Sequence, residues 1–197
     1  MRTMIMLTCA LVCLCAVPAL AQLDPGPDGI GLYADLDGMI NSITMAPGEV
    51  EIYVLATGIQ AEFGIGSWEL GLYYEGPIVN LGHLIPYNHV NVGVFPSFTV
   101  GNAQAVRPPA PVIHLMTLTF LVLGEDPVDM YVRAPALPVG GSLGNDLPAY
   151  INGAIHSDLR PLYPSSGSVD LPVLRINGPA PVATDAASWA NVKAMYR

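Results

Sequence analysis

Two carboxylates and an amide near the start of the chain have a spacing that could hold a metal ion. Asp35, Asp37 and Asn41 lie within the stretch DLDGMIN, and closely spaced oxygen ligands are typical of calcium-binding loops. The stretch lacks the later glutamate that completes an EF-hand loop. Asp37-Gly38 is also a common turn sequence, so the alternative is that these residues only build a turn. We predict no other cofactor, and if calcium binds, Asp35, Asp37 and Asn41 are its ligands.

Aromatic side chains are the second set with useful chemistry, because flat rings stack on sugars and fill protein interfaces. Tyr73 shares the polar face of a predicted strand with Glu69 and Glu75, so we expect its ring to be exposed. Tyr87 and Phe95 are the other two candidates. We predict that Tyr73, Tyr87 and Phe95 would contact a polysaccharide or a protein partner.

No group of residues matches a complete catalytic arrangement. Glu69 and Glu75 would be roughly 20 Å apart along their strand, whereas the carboxyls of glycosidases lie within about 10 Å of each other. The stretch GIGSW lacks the final glycine of a serine-hydrolase elbow. We therefore predict no catalytic residues and no enzyme. The alternative is a secreted hydrolase whose site is built from distant loops, with Asp146, Asp158 or His156.

The charge of the chain argues against nucleic acid as a partner. Seven basic residues face sixteen acidic ones, for a net charge of −9, and the basic residues form no cluster. Binding to phosphates needs clustered Lys and Arg. Scattered acidic residues of this kind are typical of a surface that stays in solution outside the cell.

The first 21 residues have the features of a secretory signal peptide. Arg2 precedes an apolar run from Met4 to Val17, and small residues follow at Ala19-Leu20-Ala21. The run is too short for a spanning helix, so we predict cleavage after Ala21 and no stable membrane insertion afterwards. All three cysteines lie inside this peptide, which leaves the processed chain without a disulfide. The predicted location is extracellular or periplasmic.

The elements that must position these side chains are strands, since Gly and Pro separate segments of alternating polarity. One pattern places Trp68, Leu70, Leu72 and Tyr74 on an inward apolar face and turns Glu69 and Glu75 to water. The strongest core element is Pro111–Asp126, whose two faces are both mostly apolar, as in a central strand covered on two sides. His114 is expected in its interior, and a short acidic turn joins this strand to the next as a hairpin. The predicted strands are Ile30–Leu36, Val50–Thr57, Ser67–Glu75, Ile78–Leu84, Val92–Val100, Pro111–Asp126, Val128–Ala134, Tyr150–Ile155 and Ser168–Leu171.

Three stretches follow one another in a familiar order: MAPGEVEIYVLATG, GIGSWELGLYYEGPIVNLG and PVIHLMTLTFLVLGEDPVDMYV. The turn Pro47-Gly48, the Gly-rich approach at Gly64–Pro77 and the Thr119–Leu123 strand resemble cohesin-like and carbohydrate-binding-module-like β-sandwiches of secreted bacterial proteins. Where that family has a Tyr-Asp-Pro turn, this chain has Tyr74-Glu75-Gly76-Pro77. The resemblance covers Ala46 to Ala134. It implies a non-catalytic sandwich, whose relatives bind calcium-loaded dockerins or polysaccharide, and it assigns no site residue.

Together these observations predict an all-β protein, an antiparallel β-sandwich of the jelly-roll, cohesin-like type with a short C-terminal helix. Residues 1–21 form the signal peptide, 22–176 the sandwich, and 177–197 a linker and the helix, which begins at Thr184 or Asp185. The predicted function is a secreted, non-catalytic module that binds a protein or glycan, or a structural component of the envelope or extracellular space.

Overall fold

The computed structural model describes residues 26–107, 112–136, 146–153 and 158–181. The predicted signal peptide, His156 and the predicted C-terminal helix lie outside these described residues. All regular structure in the described part is β, and none of it is a helix that could cross a membrane. The strands are β1 (Gly29–Tyr33), β2 (Ser42–Ile43), β3 (Gly48–Thr57), β4 (Ile65–Glu75), β5 (Ile78–Leu84), β6 (His89–Asn91), β7 (Ser97–Val106), β8 (Val112–Val122), β9 (Val128–Arg133), β10 (Ala149–Asn152), β11 (Leu159–Pro161), β12 (Tyr163–Pro164) and β13 (Leu174–Ile176).

The strands form two sheets. The first sheet has the order β12-β1-β3-β8-β5, and the second contains β11-β10-β4-β9-β13-β2, with β7 beside β4 and β6 beyond β7. Glu69 pairs with both β7 and β10, and Gly71 pairs with both β7 and β9. A strand has only two edges, so β9 and β10 follow one another along the edge of β4 that β7 leaves free.

The prediction of an antiparallel sandwich is right for the interior pairs and wrong at two places. β1 runs parallel to β12, with Gly29 opposite Tyr163, and β2 runs parallel to β13, with Ser42 opposite Arg175. Both sheets are therefore mixed. The residue pattern could not reveal this, because alternation reports which face a side chain takes and not the direction of the neighbouring strand.

The hydrophobic core lies between the two sheets. On β4, Trp68, Leu70 and Leu72 are at most 5% exposed, which confirms the inward face expected from the sequence. Ile52 and Val54 of β3 belong to the same buried cluster. Full burial of such a side chain contributes about 1.5–3 kcal/mol, so this alternation accounts for a large part of the stability of the sandwich. Glu69 was expected to face water and is only 6% exposed, at a position where β4 is paired on both edges.

A bulge in β8 changes which face its residues take. Val54 and Leu55, which are consecutive in β3, pair with Met116 and His114, so Leu115 has no partner in β3. The extra residue shifts the alternation by one position. His114 was expected in the interior; it is instead half-buried on the outer face, with its ring 5.6 Å from that of Tyr53. Desolvation by burial lowers the pKa of His114.

The predicted hairpin between β8 and β9 is also wrong. β8 pairs with β3 and β5 in the first sheet, whereas β9 pairs with β4 and β13 in the second. Residues 123–127 therefore carry the chain from one sheet to the other. Five extended residues reach about 17 Å, which exceeds the spacing of about 10 Å between packed sheets. The short acidic turn is as compatible with this crossing as with a hairpin.

Candidate functional site

Two tyrosines stand side by side on the outer face of the second sheet. Tyr73 of β4 pairs directly with Tyr131 of β9, and their ring centroids are 5.7 Å apart at an angle of 47°. Tyr73 is 47% exposed and Tyr131 is half-buried. The alternation that turns Leu72 inward places Tyr73 outward, so a buried strand presents this ring on a rigid support.

An arginine from the same strand as Tyr131 covers both rings. The Cζ atom of Arg133 lies 5.4 Å from the ring centre of Tyr73 and 5.9 Å from that of Tyr131. Its Nε donates a hydrogen bond to the carbonyl of Val169, and its Nη2 lies 3.6 Å from a carboxylate oxygen of Asp170. A guanidinium over aromatic rings is attracted by the negative electrostatic potential of the ring faces. We call Tyr73, Tyr131 and Arg133 the tyrosine–arginine face.

The hydroxyls of this face are held in the neutral form. The hydroxyl of Tyr73 donates to Oε1 of Glu75 at 3.1 Å, and this bond raises the pKa of Tyr73. Burial, and then the nearby charge of Asp129, raises the pKa of Tyr131. Asp129 is paired with Arg175, whose Nε lies 2.7 Å from Oδ1. The face therefore offers aromatic area, hydroxyl groups and a guanidinium, which suits recognition better than proton transfer.

Of the three residues predicted to bind a partner, only Tyr73 lies on this face. Phe95 packs against the core, with its ring 6.1 Å from Phe98 and 6.4 Å from Tyr74. Tyr87 is half-buried against the same core, and its burial raises its pKa. The structure does not bring the three together.

Sequence reasoning missed Tyr131 and Arg133, although a signal for them was present. In β9 burial alternates strictly. Met130 and Val132 are buried, and Tyr131 and Arg133 take the outward positions. The same alternation singled out Tyr73 in β4. What the pattern could not show is that β9 lies beside β4, because the two strands are far apart in the chain.

The residues predicted to hold calcium form part of a tight turn. The backbone N–H groups of Met39 and Ile40 donate to Oδ1 of Asp35, at 3.0 and 2.9 Å respectively. Asp37 is exposed, and Oδ1 of Asn41 is buried without a hydrogen-bond partner among the described residues. The described part of the chain holds no group of three or more His, Cys, Asp or Glu that could bind a metal. Calcium binding by Asp35, Asp37 and Asn41 stays a prediction.

The residues of the alternative hydrolase site have other contacts. Arg160 donates to both carboxylate oxygens of Asp158 through Nε and Nη2, and Asn152 donates to Oδ2 at 2.8 Å. These bonds, first that of Arg160, lower the pKa of Asp158 and keep it ionised. Asp146 is exposed, and its carbonyl accepts a hydrogen bond from Ala134 N. An ion-paired carboxylate of this kind is a poor proton donor.

Comparison with known proteins gives a likeness at the level of fold. No family model and no curated protein matches the chain. Among solved structures, it is similar to the sixth cohesin of scaffoldin B from Acetivibrio cellulolyticus, which is in complex with a mutant Cel5 dockerin, at 10% identity and a TM-score of 0.45 over 77% of this chain and 99% of that one.

Two further cohesins are similar to the chain. The seventh ScaB type I cohesin from Pseudobacteroides cellulosolvens has 12% identity and a TM-score of 0.42, and the match covers 63% of this chain and 79% of that one. A non-cellulosomal cohesin from the archaeon Archaeoglobus fulgidus has 11% identity and a TM-score of 0.36, over 55% of this chain and 79% of that one.

Proposed function

We propose that this protein is a secreted, non-catalytic β-sandwich module that binds a protein partner through the tyrosine–arginine face. The observation that carries the proposal is the pair of outward rings, Tyr73 and Tyr131, with the guanidinium of Arg133 above both. Tyr and Arg are among the residue types that contribute most energy at protein interfaces. Strands β4 and β9, which carry them, are hydrogen-bonded to each other, so little order has to be gained on binding.

The geometry favours a protein over a polysaccharide. The rings of Tyr73 and Tyr131 are tilted by 47°, so they do not form the single plane on which consecutive sugar units would stack. Tilted rings form a shallow notch that suits one apolar or aromatic side chain of a partner. The hydroxyls and the guanidinium around the notch can then bind carbonyl or carboxylate groups.

Arg133 indicates what charge the partner should carry. Its contact with Asp170 is 3.6 Å long, and the side chain of Asp170 is 81% exposed. Exposed ion pairs of this kind contribute only about 0–1 kcal/mol, so a partner could displace Asp170 at little cost. A partner carboxylate would bind the fork of donors of Arg133 in its place. We therefore infer a partner that presents an apolar side chain next to an acidic one.

Export and the absence of catalysis are part of the same proposal. Export rests on the predicted signal peptide at residues 1–21. The non-catalytic character is supported by Asp158, whose carboxylate is held by Arg160 and Asn152. Turnover on a panel of esterase and glycosidase substrates that Asp158→Asn abolishes would favour the hydrolase instead.

A matched pair of tyrosines tests the binding face. Tyr73 and Tyr53 each donate a hydrogen bond to a glutamate two residues away, but Tyr53 lies on the first sheet. The purified chain would be immobilised and incubated with the secreted proteins of its own organism. A calcium-loaded dockerin would be tested separately as a defined probe. A captured protein would then be purified and titrated. We expect Tyr73→Ala and Arg133→Ala to weaken its binding at least about tenfold, and Tyr53→Ala to have less than about a twofold effect.

Two results would change the conclusion. Equal affinity of the wild type, Tyr73→Ala and Arg133→Ala for every captured protein would exclude this face as the binding site. Binding on a glycan array that Tyr73→Ala removes, with no protein captured, would make polysaccharide the ligand of the same face.

A further inference from the structure

One part of this acidic chain carries no charge. Residues 76–106 contain no Asp, Glu, Lys or Arg, although the whole chain has sixteen acidic and seven basic residues. This run forms β5, β6 and β7, and the first two are edge strands: β5 ends the first sheet, and β6 pairs only with β7 in the described part of the chain. Charged side chains, one of the devices that protect exposed edges, are missing here.

The segment that contains β6 shows its apolar side to solvent. Val90, Val92 and Val94 are 68%, 62% and 81% exposed. The polar residue between the first two, Asn91, turns inward, and its Oδ1 accepts hydrogen bonds from the N–H groups of Gly93 and Thr99. This is the reverse of the usual arrangement, in which the apolar face of an alternating segment is buried.

β5 combines exposed apolar side chains with a free backbone edge. Val79, Leu81 and Leu84 are 45%, 50% and 67% exposed. β5 pairs with β8 on one side, and no described strand pairs with its other edge. A bulge lies at Leu81, where Nδ2 of Asn80 donates to the carbonyl of Gly82. The strand stays paired with β8 on both sides of the bulge, so it remains extended there.

β5 and β6 border the same side of the sandwich. The ring of His83 in β5 lies 5.0 Å from that of Phe98 in β7, so the two sheets contact each other at this side. We call the exposed apolar residues of this side the neutral flank. They are Val79, Leu81, Leu84, Val90, Val92 and Val94.

We infer that the neutral flank is a surface on which two copies of this chain associate, with β5 of one copy adding antiparallel to β5 of the other. A free strand edge needs an extended segment as its partner, because its N–H and C=O groups are otherwise satisfied only by water. The antiparallel direction follows from a two-fold axis between identical strands, which places the same surface on both sides of the contact.

Charge selects a second copy as the occupant. The net charge of −9 makes two copies repel over most of their surface, and the neutral flank is where that repulsion is least. The flank has no charged side chain with which to select a charged peptide. β5 is an exposed, uncharged and extended segment of the described chain, so it can pair with the same segment of a second copy.

The test is the oligomeric state of the purified full chain and of three variants that add the same charge. Leu84→Glu and Val92→Glu place a carboxylate on the neutral flank, and Leu36→Glu places one at a residue that is 52% exposed in the turn after β1. Sedimentation over about 1–100 μM should show a dimer for the wild type and for Leu36→Glu. We expect the dimer dissociation constant to rise at least about tenfold in the two flank variants.

Hydrogen exchange identifies the strand that pairs. The amides on the outer edge of β5 should become protected as the concentration of the wild type rises, and those of Leu84→Glu should not. A wild type that is monomeric at the highest concentration overturns the inference. So does a dimer that Leu84→Glu and Val92→Glu leave intact, or one in which β5 gains no protection.

Discussion

The hydroxyl of Tyr150 donates a hydrogen bond of 2.6 Å to Oδ1 of Asp28, which lies 122 positions earlier in the chain. The same oxygen accepts the backbone N–H of Gln60 at 2.8 Å. Asp28 precedes β1 and has a positive φ of 55°. One carboxylate therefore joins the start of β1, the loop after β3 and the buried strand β10.

Removal of this hydroxyl should destabilise the protein. Tyr150 is fully buried, so Tyr150→Phe leaves its shape in place and removes the bond to Asp28 together with the interaction of the hydroxyl with Arg160. Hydrogen bonds to charged groups contribute about 1.5–3 kcal/mol, and we expect a loss of that size in urea unfolding. Tyr163→Phe, at a ring that is 48% exposed, is the control and should change stability by less than about 0.5 kcal/mol. Equal effects of the two changes would contradict the role of this bond.

The same bond should make stability sensitive to alkaline pH. Burial, and then the bond to Asp28, raises the pKa of Tyr150 above its ordinary value. The unfolded chain starts to ionise near pH 10, so the stabilisation is complete below about pH 10 and decreases as the pH rises from there towards the higher pKa of the folded state. The difference in unfolding free energy between wild type and Tyr150→Phe should therefore narrow above about pH 10. Urea unfolding between pH 8 and 11 measures it, and a constant difference would contradict this prediction.

Gly66 should tolerate no side chain. A Cβ at this position of β4 would overlap the carbonyl of Gly153, a backbone atom that cannot move away without shifting β10. We expect Gly66→Ala to lower the free energy of unfolding by about 1–3 kcal/mol. Gly101 in β7 is the matched control, because a Cβ there meets nothing within 4 Å. Gly101→Ala should be neutral or stabilising by up to about 1 kcal/mol, and comparable losses in both variants would refute the steric explanation.

The roles of Asp35 and Asp37 can be distinguished by measuring the stability of two variants without and with calcium. Without calcium, Asp35→Ala should cost about 1–2 kcal/mol, because the N–H groups of Met39 and Ile40 lose their acceptor. Asp37→Ala, at an exposed side chain, should cost less than about 0.5 kcal/mol. If calcium binds, it should raise the melting temperature of the wild type, and both variants should lose that rise. An unchanged stability of Asp35→Ala in a chelator would show that the turn does not depend on its carboxylate.

Much of the sandwich could be predicted from local alternation, because one buried face is enough to mark a strand. The inward positions of Trp68, Leu70 and Leu72 followed from that pattern alone. The outward valines of the neutral flank show the limit of prediction from local alternation. Val90, Val92 and Val94 alternate as a core strand would, and only the structure shows that they face solvent.

What the sequence could not predict depends on partners that are distant in the chain. Tyr131 and Arg133 became part of a site only because β9 lies beside β4, and no local pattern encodes that neighbour. His114 changed face because Leu115 is an extra residue opposite β3, and a bulge is visible only in the register of both strands. The crossing at residues 123–127 has the composition of an ordinary turn.

The two parallel pairings have a consequence for how the protein is made. β1 needs β12 to complete its side of the first sheet, and β2 pairs with β13 alone among the described strands. A chain emerging from the ribosome therefore cannot finish the first sheet until residue 164 has been synthesised, or the second until residue 176. Until then the early strands keep apolar surface exposed. We therefore expect the domain to fold late and in one cooperative step, and to depend on chaperones during synthesis.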